Sequence, residues 1–353
     1  MPAIVPWQPT EAANQALQHL RAGRCVALPS ESTYELVASA FHADALPTTH
    51  AAIILGDYPQ LFDWMSWATG AGERLFRKLG AGPYLFRGHG GYTHGLAMRL
   101  PTKAQQAVIR EDRLALRWPE HPIWQELSRA DLALVTASVE GGVNAEATAK
   151  NLGDRVACVV DAGPTTHQAL PSVVESVGRR CRLARPGPLT QEQLDAVTCC
   201  RVLFICTGNT CRSPMAESLC RNMLADRLGC SPAQLGERGF CVQSAGLAAM
   251  MGSEASSEAV QVATELGADL AQHRSKPASL ELLQWADFTF AMTSGHWYTL
   301  RSVDVPGLTP SRMLSPRFED IVDPIGGSMA VYRTCADQIV GCLQHWLPEI
   351  LEA

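Results

Sequence analysis

Apolar residues recur at helical spacing from Glu11 to Leu20, and the run closes at Ala22-Gly23, a helix-capping pair. Cys25-Val26-Ala27-Leu28 then reads as a strand that feeds the polar stretch Pro29-Ser30-Glu31-Ser32-Thr33-Tyr34-Glu35-Leu36. Further short apolar runs follow at Leu132 to Ser138 and Val156 to Val160. From Gln191 to Cys199-Cys200 the chain passes from polar to apolar with no Gly/Ser or Pro tract. The continuous apolar run Val202 to Ile205 has the pattern of a parallel strand buried on both faces. A loop of small residues comes next. Ser213-Pro214-Met215-Ala216-Glu217 then opens a helix, with Pro where a first turn tolerates it, and the periodicity lasts to Leu228. Phe240 to Gln243 reads as a strand ending in Ser244-Ala245-Gly246, Glu254 to Leu266 as a helix closed by Gly267, Asp287 to Met292 as a strand, and Val331 to Leu347 as a helix.

Strands alternating with helices in the second half imply an α/β domain with a doubly wound parallel sheet, whose site lies at the C-terminal ends of the strands. A chain of 353 residues accommodates two domains, expected at 1–198 and 199–353, and the short joint predicts modules that touch. No internal repeat or low-complexity tract is present.

Composition narrows the function classes. The formal net charge of −6 gives no basic footprint for bulk nucleic-acid binding. No apolar run approaches the ~18 residues of a membrane span, and Met1-Pro2-Ala3-Ile4-Val5-Pro6 does not read as a secretory leader. The twelve cysteines are therefore expected as reduced thiols in a cytoplasmic protein, with no membrane contact. Cys206 and Cys211 are the exception, since two thiols on one loop can form a reversible disulfide that protects the more reactive one. Nothing calls for a metal or a cofactor.

The strand Val202–Ile205 delivers Cys206 to the loop Thr207-Gly208-Asn209-Thr210-Cys211, with Arg212 separated from the thiol by five residues and just before the helix. Backbone N–H groups of such a loop wrap one anion, and the helix adds its unpaired amides and positive dipole end. A thiol there is expected as a thiolate, the form that a nucleophile needs. Arg212 offers a planar fork to phosphoryl oxygens. The nucleotide-type phosphate loop is excluded, because no Gly-Lys-Ser/Thr ending is present.

Cys-x5-Arg-Ser after a strand resembles the phosphate loop of the low-molecular-weight protein tyrosine phosphatases, and the resemblance extends over residues 201–353. It implies catalysis by Cys206, Arg212 and Asp323 through a phosphocysteine, with phosphate held by Thr207, Gly208, Asn209, Thr210, Cys211 and Arg212. Asp323, in Ile321-Val322-Asp323-Pro324-Ile325-Gly326-Gly327-Ser328, matches the family's general acid before a proline; Asp320 is the nearby alternative without the proline. The support residues implied are Ser213, donating to the Cys206 sulfur, and Ser244 and His273, holding the side chain of a left-handed Asn209. Thr210 stands where tyrosine-specific relatives carry a bulky aliphatic residue, and Ile325-Gly326-Gly327 lacks their aromatic wall. In both respects the chain resembles the bacterial protein-arginine phosphatases, which implies phosphoproteins as substrates with phosphoarginine preferred and phosphotyrosine second.

Residues 10–195 resemble the threonylcarbamoyl-adenylate synthases, on Pro29 to Leu36, Gly80 to Phe86, Leu114 to Pro122, Leu132 to Ser138, Val156 to Pro164, Pro171 to Val174 and Leu183 to Pro188. This implies an N-terminal α/β domain with a twisted mixed sheet. Tyr34, Arg117 and Arg185 remain from the family's site. The family's Lys-x-Arg is replaced by His50-Ala51-Ala52-Ile53-Ile54-Leu55-Gly56-Asp57-Tyr58, its Ser-Ala-Asn by Ala137-Ser138-Val139-Glu140, and a small Gly by Glu35. The expectation is a retained fold without synthase activity. Two other readings rank lower: RNA or nucleotide binding through the N-terminal domain, and arsenate reduction, for which the thiols beyond residue 241 are Cys335 and Cys342 on the C-terminal helix.

Overall fold

A computed structural model describes residues 1–45, 51–66, 70–303, 305 and 308–353. The chain divides into two compact units, Met1–Thr198 and Cys199–Ala353.

The first unit is built on one large mixed sheet. Its strand order runs Ala3–Pro6, Cys158–Asp161, Val26–Leu28, Glu35–Ser39, Leu134–Ser138, Ala52–Ile54, Arg113–Arg117, Tyr84–His89, Ser172–Val177 and Arg180–Arg185. Parallel and antiparallel neighbours alternate irregularly across it, as in Glu35–Ser39 antiparallel to Leu134–Ser138 and Tyr84–His89 parallel to Ser172–Val177. The periodic segment near the N-terminus forms the helix Pro9–Arg21, which turns Ala12, Ala13, Ala16 and Leu20 inward. Trp124, Tyr84 and Phe76 are among the largest fully buried side chains.

The second unit has a four-stranded sheet in the order Phe240–Gly246, Cys200–Cys206, Phe288–Ala291 and Arg312–Met313, every pair parallel. Alternation along the central strand explains its unbroken apolar sequence. Val202, Phe204 and Cys206 face a core shared with the helices Arg212–Leu228, Ser257–Glu265 and Met329–Glu352. Leu203 and Ile205 face the opposite layer, beside the helices Leu280–Trp285 and Ser294–Arg301. The sheet is thus doubly wound, and its strands end on the side where the phosphate-type loop begins.

The C-terminal helix continues past the Leu347 boundary expected from sequence and carries Pro348 inside it. Proline costs this helix a backbone bond, but Leu347, Ile350 and Leu351 extend the buried stripe through the last turn, and that burial holds the turn in place. The helix Ser257–Glu265 starts later than the expected Glu254, because the Ser256 hydroxyl accepts from Ala259 N–H and sets the cap there. Among the described residues, no helix is long and apolar enough to cross a membrane.

Candidate active site

Cys206 ends the central strand with its sulfur almost wholly buried. The chain after it is shaped by where its carbonyls go. Cys206 O accepts from Leu247 N–H at 2.9 Å, Thr207 O from Ala248 N–H at 2.9 Å, Thr210 O from Ser256 N–H at 2.9 Å and Cys211 O from Met215 N–H at 3.2 Å. Asn209 O is bonded to His273 Nε2 at 2.8 Å. With these carbonyls tied outward, the amides are left over. Among the described residues the N–H groups of Thr207, Gly208, Thr210 and Cys211 have no protein acceptor. Unpaired N–H groups collected in one loop at a helix start are a receptor for an anion.

Two local devices hold this shape. Asn209 takes the left-handed conformation expected for it, with φ 56°. Gly246 lets the neighbouring strand pass close beneath the loop, since a Cβ there would lie 2.4 Å from Thr207 O and 2.9 Å from Asn209 N.

The Cys206 sulfur receives Asn209 N–H at 3.2 Å and lies 3.0 Å from Ser213 Oγ. A chain of hydrogen bonds behind it has a fixed direction. Ser244 O–H donates to Glu217 Oε2 at 2.7 Å, and the carboxylate can only accept. Ser244 Oγ therefore accepts from Asn209 Nδ2 at 2.8 Å, and the other Nδ2 hydrogen goes to Ser213 Oγ at 2.9 Å. That leaves the Ser213 proton for the Cys206 sulfur, or for Ala245 O at 3.3 Å. Glu217, unmarked by sequence reasoning, orients the whole relay.

One expected contact differs. His273 does not hold the Asn209 side chain; it holds the Asn209 carbonyl oxygen, while the side-chain Oδ1 accepts from Lys276 N–H at 2.9 Å. The reason is geometric: in the left-handed conformation the carbonyl of Asn209 turns away from the cradle toward the segment carrying His273, and the amide side chain points into the protein.

Arg212 is 5% exposed, and its guanidinium donates to Asp323 Oδ2 at 2.6 Å. Asp323 remains half-exposed at the mouth, with Ile325 N–H on its other oxygen at 3.3 Å. Asp320 is taken up elsewhere, accepting from Ser294 N–H at 2.7 Å. Of the two carboxylates, Asp323 is the one brought to Arg212.

His296 is a second neighbour that the sequence did not disclose. Its Nε2 is bonded to Thr207 Oγ1 at 2.9 Å and its Nδ1 to Thr293 Oγ1 at 2.8 Å. Burial, and then the Arg212 charge, lower its pKa, which favours the neutral ring. The available signal was the Thr-x-x-His spacing at a helix start, where Thr293 caps and His296 lies one turn on.

The two loop thiols have separate partners. Cys211 S–H donates to Ser256 Oγ at 3.4 Å and its sulfur lies 3.5 Å from Tyr332 Oη. The Thr210 hydroxyl is lightly used, its contact being Cys211 Sγ at 3.7 Å. Ile325, directly after Pro324, is 71% exposed.

The phosphatase-type residues match known proteins. Residues 201–353 match the low molecular weight phosphotyrosine protein phosphatase family. A protein-arginine-phosphatase of Geobacillus stearothermophilus is 41% identical over 143 residues, 39% of this chain and 88% of that protein. The chain belongs to the low molecular weight phosphotyrosine protein phosphatase family. It is a phosphoprotein phosphatase. A probable low molecular weight protein-tyrosine-phosphatase of Ralstonia nicotianae is 30% identical over 151 residues, 42% of this chain and 94% of that one. The N-terminal region matches different proteins. A putative threonylcarbamoyl-AMP synthase of Mycobacterium tuberculosis is 29% identical over 198 residues, 54% of this chain and 91% of that one. The phosphatase is therefore fused to a synthase-like unit.

In that N-terminal unit, the residues retained from the synthase pattern are occupied internally. Arg117 is fully buried and donates to Gly82 O, to Tyr84 O at 3.0 Å and to Glu31, with Glu35 3.6 Å from its Nε. Glu35 accepts from Thr136 at 3.1 Å and from Ser138 at 3.0 Å. Tyr34 O–H donates to Gly163 O at 3.0 Å, and Arg185 donates to Pro171 O at 2.8 Å. Glu140, the carboxylate that replaces part of the family's motif, is exposed; Glu31 and Glu35 are the ones that meet the cation. His50 lies outside the described residues.

Burial pushes the Glu35 carboxyl from its ordinary 4.5 to about 7, against the pull of Arg117 and the two hydroxyls. For Glu31, burial is outweighed by Arg117 and the Glu120 N–H, which hold its carboxyl below the ordinary value. Because the folded-state value of Glu35 is raised, the folded unit holds an extra proton between about 4.5 and 7 and loses stability as pH climbs through that window. Glu35→Gln should abolish that fall. Relative to wild type it should gain on the order of 2 kcal/mol between pH 5 and pH 8, read by hydrogen exchange in Glu35–Ser39. An equal effect at both pH values would contradict the assignment.

Proposed function

We propose that the C-terminal unit hydrolyses phosphoproteins through a phosphocysteine at Cys206 and prefers phosphoarginine to phosphotyrosine. The observation that carries the reading is the loop after Cys206, whose carbonyls are partnered while the Thr207, Gly208, Thr210 and Cys211 N–H groups have no protein acceptor among the described residues and the Asn209 N–H meets the thiol. A phosphoryl group there meets those N–H groups and the Arg212 fork, and they stabilise the charge that spreads over its equatorial oxygens during transfer. Cys206 attacks phosphorus, and the P–N or P–O bond to the leaving group breaks. Asp323 protonates the departing atom and then takes a proton from the water that attacks the phosphocysteine. Ser213, oriented through Asn209, Ser244 and Glu217, donates to the sulfur when it carries charge. Asp323 begins on Arg212, so arrival of the phosphoryl group gives Arg212 a second acceptor and frees the carboxyl to face the leaving group.

Support for arginine comes from the 41% identity to a protein named for that activity and from the site's rim. Thr210 keeps a hydroxyl available, and Gly326-Gly327 raises no aromatic wall around a phenyl ring. A phosphoguanidinium has N–H groups to offer a hydroxyl, and its labile bond needs protonation at nitrogen, which Asp323 supplies. The direct test is turnover on matched phosphoarginine and phosphotyrosine peptides. A higher kcat/KM on phosphotyrosine would reverse the preference.

Thr210→Ile should cost activity on phosphoarginine and spare or raise it on phosphotyrosine. A lost hydrogen bond to a charged group is worth about 1.5–3 kcal/mol, roughly ten- to a hundred-fold in rate. If both activities fell by one factor, Thr210 would be shaping the loop only, and the preference would reside in Ile325-Gly326-Gly327.

We further propose that the N-terminal unit does not make threonylcarbamoyl-adenylate. The supporting observation is that Arg117 is neutralised by Glu31 and Glu35 from within, so a nucleotide phosphate would have to displace a buried carboxylate. No threonine-dependent pyrophosphate release is expected from threonine, bicarbonate and ATP. Release above background would overturn this.

A further inference from the structure

The chain carries a second thiol site at the far end of the strand whose other end presents Cys206. Cys199 immediately precedes the strand Cys200–Cys206, and Cys241 lies in the neighbouring strand Phe240–Gly246, opposite Arg201 in the parallel ladder. The Cys199 S–H donates to Cys241 Sγ with the sulfurs 3.0 Å apart. A disulfide needs about 2.05 Å, so closure takes a movement of roughly an ångström and no change of strand pairing. Cys199 is 8% exposed, whereas Cys241 is half-buried on a strand at the sheet edge, where a small oxidant can reach it.

Other cysteines nearby are placed differently. Cys200 points off the sheet to the helix Met329–Glu352, donating to Ile350 O at 3.9 Å, and Cys220 is fully buried in the helix Arg212–Leu228. A metal is not the better explanation, since among the described residues no group of three or more His, Cys, Asp or Glu side chains is arranged to hold one.

We propose that Cys199 and Cys241 are a redox modification site that forms a reversible disulfide with a peroxide as oxidant. The Cys241 sulfur attacks one peroxide oxygen, the O–O bond breaks, and a sulfenic acid and one water result. The Cys199 sulfur then attacks the sulfenic sulfur, the S–O bond breaks, and a second water leaves. Two thiols and one hydrogen peroxide give one disulfide and two waters, the sulfur pair losing two electrons and the peroxide gaining them. The link ties the first residue of the phosphatase unit to its edge strand, closing the chain from 199 to 241. It leaves Cys206 untouched, because the two sites lie at opposite ends of the same strand.

The test uses the full chain carrying Cys206→Ser, so that the loop nucleophile cannot compete, treated with hydrogen peroxide, alkylated and digested without reductant. Mass spectrometry should find the peptide holding Cys199 joined to the peptide holding Cys241. The link should persist in Cys200→Ser and vanish in both Cys199→Ser and Cys241→Ser. Oxidation should raise the Tm of the phosphatase unit by roughly 5–10 °C, reversibly with dithiothreitol, and neither single variant should show the rise. Cys241→Ser in the otherwise wild-type chain should leave reduced-state turnover within about twofold. Separate alkylation of Cys199 and Cys241 after the exposed thiols have been oxidised would overturn the proposal. So would a link that persists in Cys199→Ser, or sulfinic acid at Cys241 without a link.

Discussion

Cys206→Ser is expected to abolish turnover while leaving anion binding in place. The serine hydroxyl is smaller than the thiol and stays protonated at neutral pH, so it is a poor nucleophile, whereas the groups that hold the anion are untouched by the change. The Thr207, Gly208, Thr210 and Cys211 amides and the Arg212 guanidinium do not depend on the sulfur for their orientation, because the loop is fixed by its carbonyl partners and by Asn209. Phosphate or vanadate should therefore still bind within a few-fold of wild type, measured by calorimetry. Retained multiple-turnover hydrolysis would contradict a nucleophilic Cys206. Loss of turnover together with loss of anion binding would instead mean that the substitution had collapsed the loop.

Asp323→Asn should slow hydrolysis by roughly 10²–10⁴, with the size of the loss set by the leaving group. An amide cannot deliver a proton to a guanidine nitrogen or a phenolic oxygen, so substrates that need protonation lose most. An aryl phosphate with a very good leaving group should be far less affected. The Arg212 partner contact at 2.6 Å is weakened too, but that change alone would fall equally on all substrates. Equal losses on good and poor leaving groups would argue for a role in positioning Arg212 and against proton transfer.

Much of the site was readable because its core is contiguous. Cys206 to Ser213 is one strand–loop–helix unit, and its local rules — an apolar strand, a left-handed Asn209, a helix opening at Arg212 — do not depend on distant parts of the chain. What the sequence concealed was set by neighbouring elements. His296 reaches Thr207 only because the helix Ser294–Arg301 begins beside the loop, and Lys276 contributes a backbone N–H, which no side-chain pattern can disclose. The same limit explains His273, which lies beside Asn209 but is bonded to its carbonyl and not to its side chain. Glu217 stood in the motif Met-Ala-Glu, yet its role depends on Ser244 from the next strand.

The N-terminal unit illustrates the opposite problem. Arg117 looks like a ligand-binding cation when read alone, and Glu35 looks like a lost glycine. Only the pairing of Glu35–Ser39 with Leu134–Ser138, and the approach of Glu31 from the preceding loop, reveals that the cation already faces two carboxyl groups. The Leu347 boundary fell short in a simpler way, because the buried Ile350 and Leu351 outweigh the backbone bond that Pro348 removes.

The most direct test of the account is to trap the reaction on the protein. The full chain is mixed with a rapidly cleaved aryl phosphate, quenched in acid within the first turnover, digested and examined by mass spectrometry. One phosphoryl group should appear on Cys206 before steady state and decay as inorganic phosphate is released, and Asp323→Asn should change the level of that species. Phosphate release with no phosphorylated Cys206 at any time, or a phosphoryl group on a different residue, would contradict the mechanism.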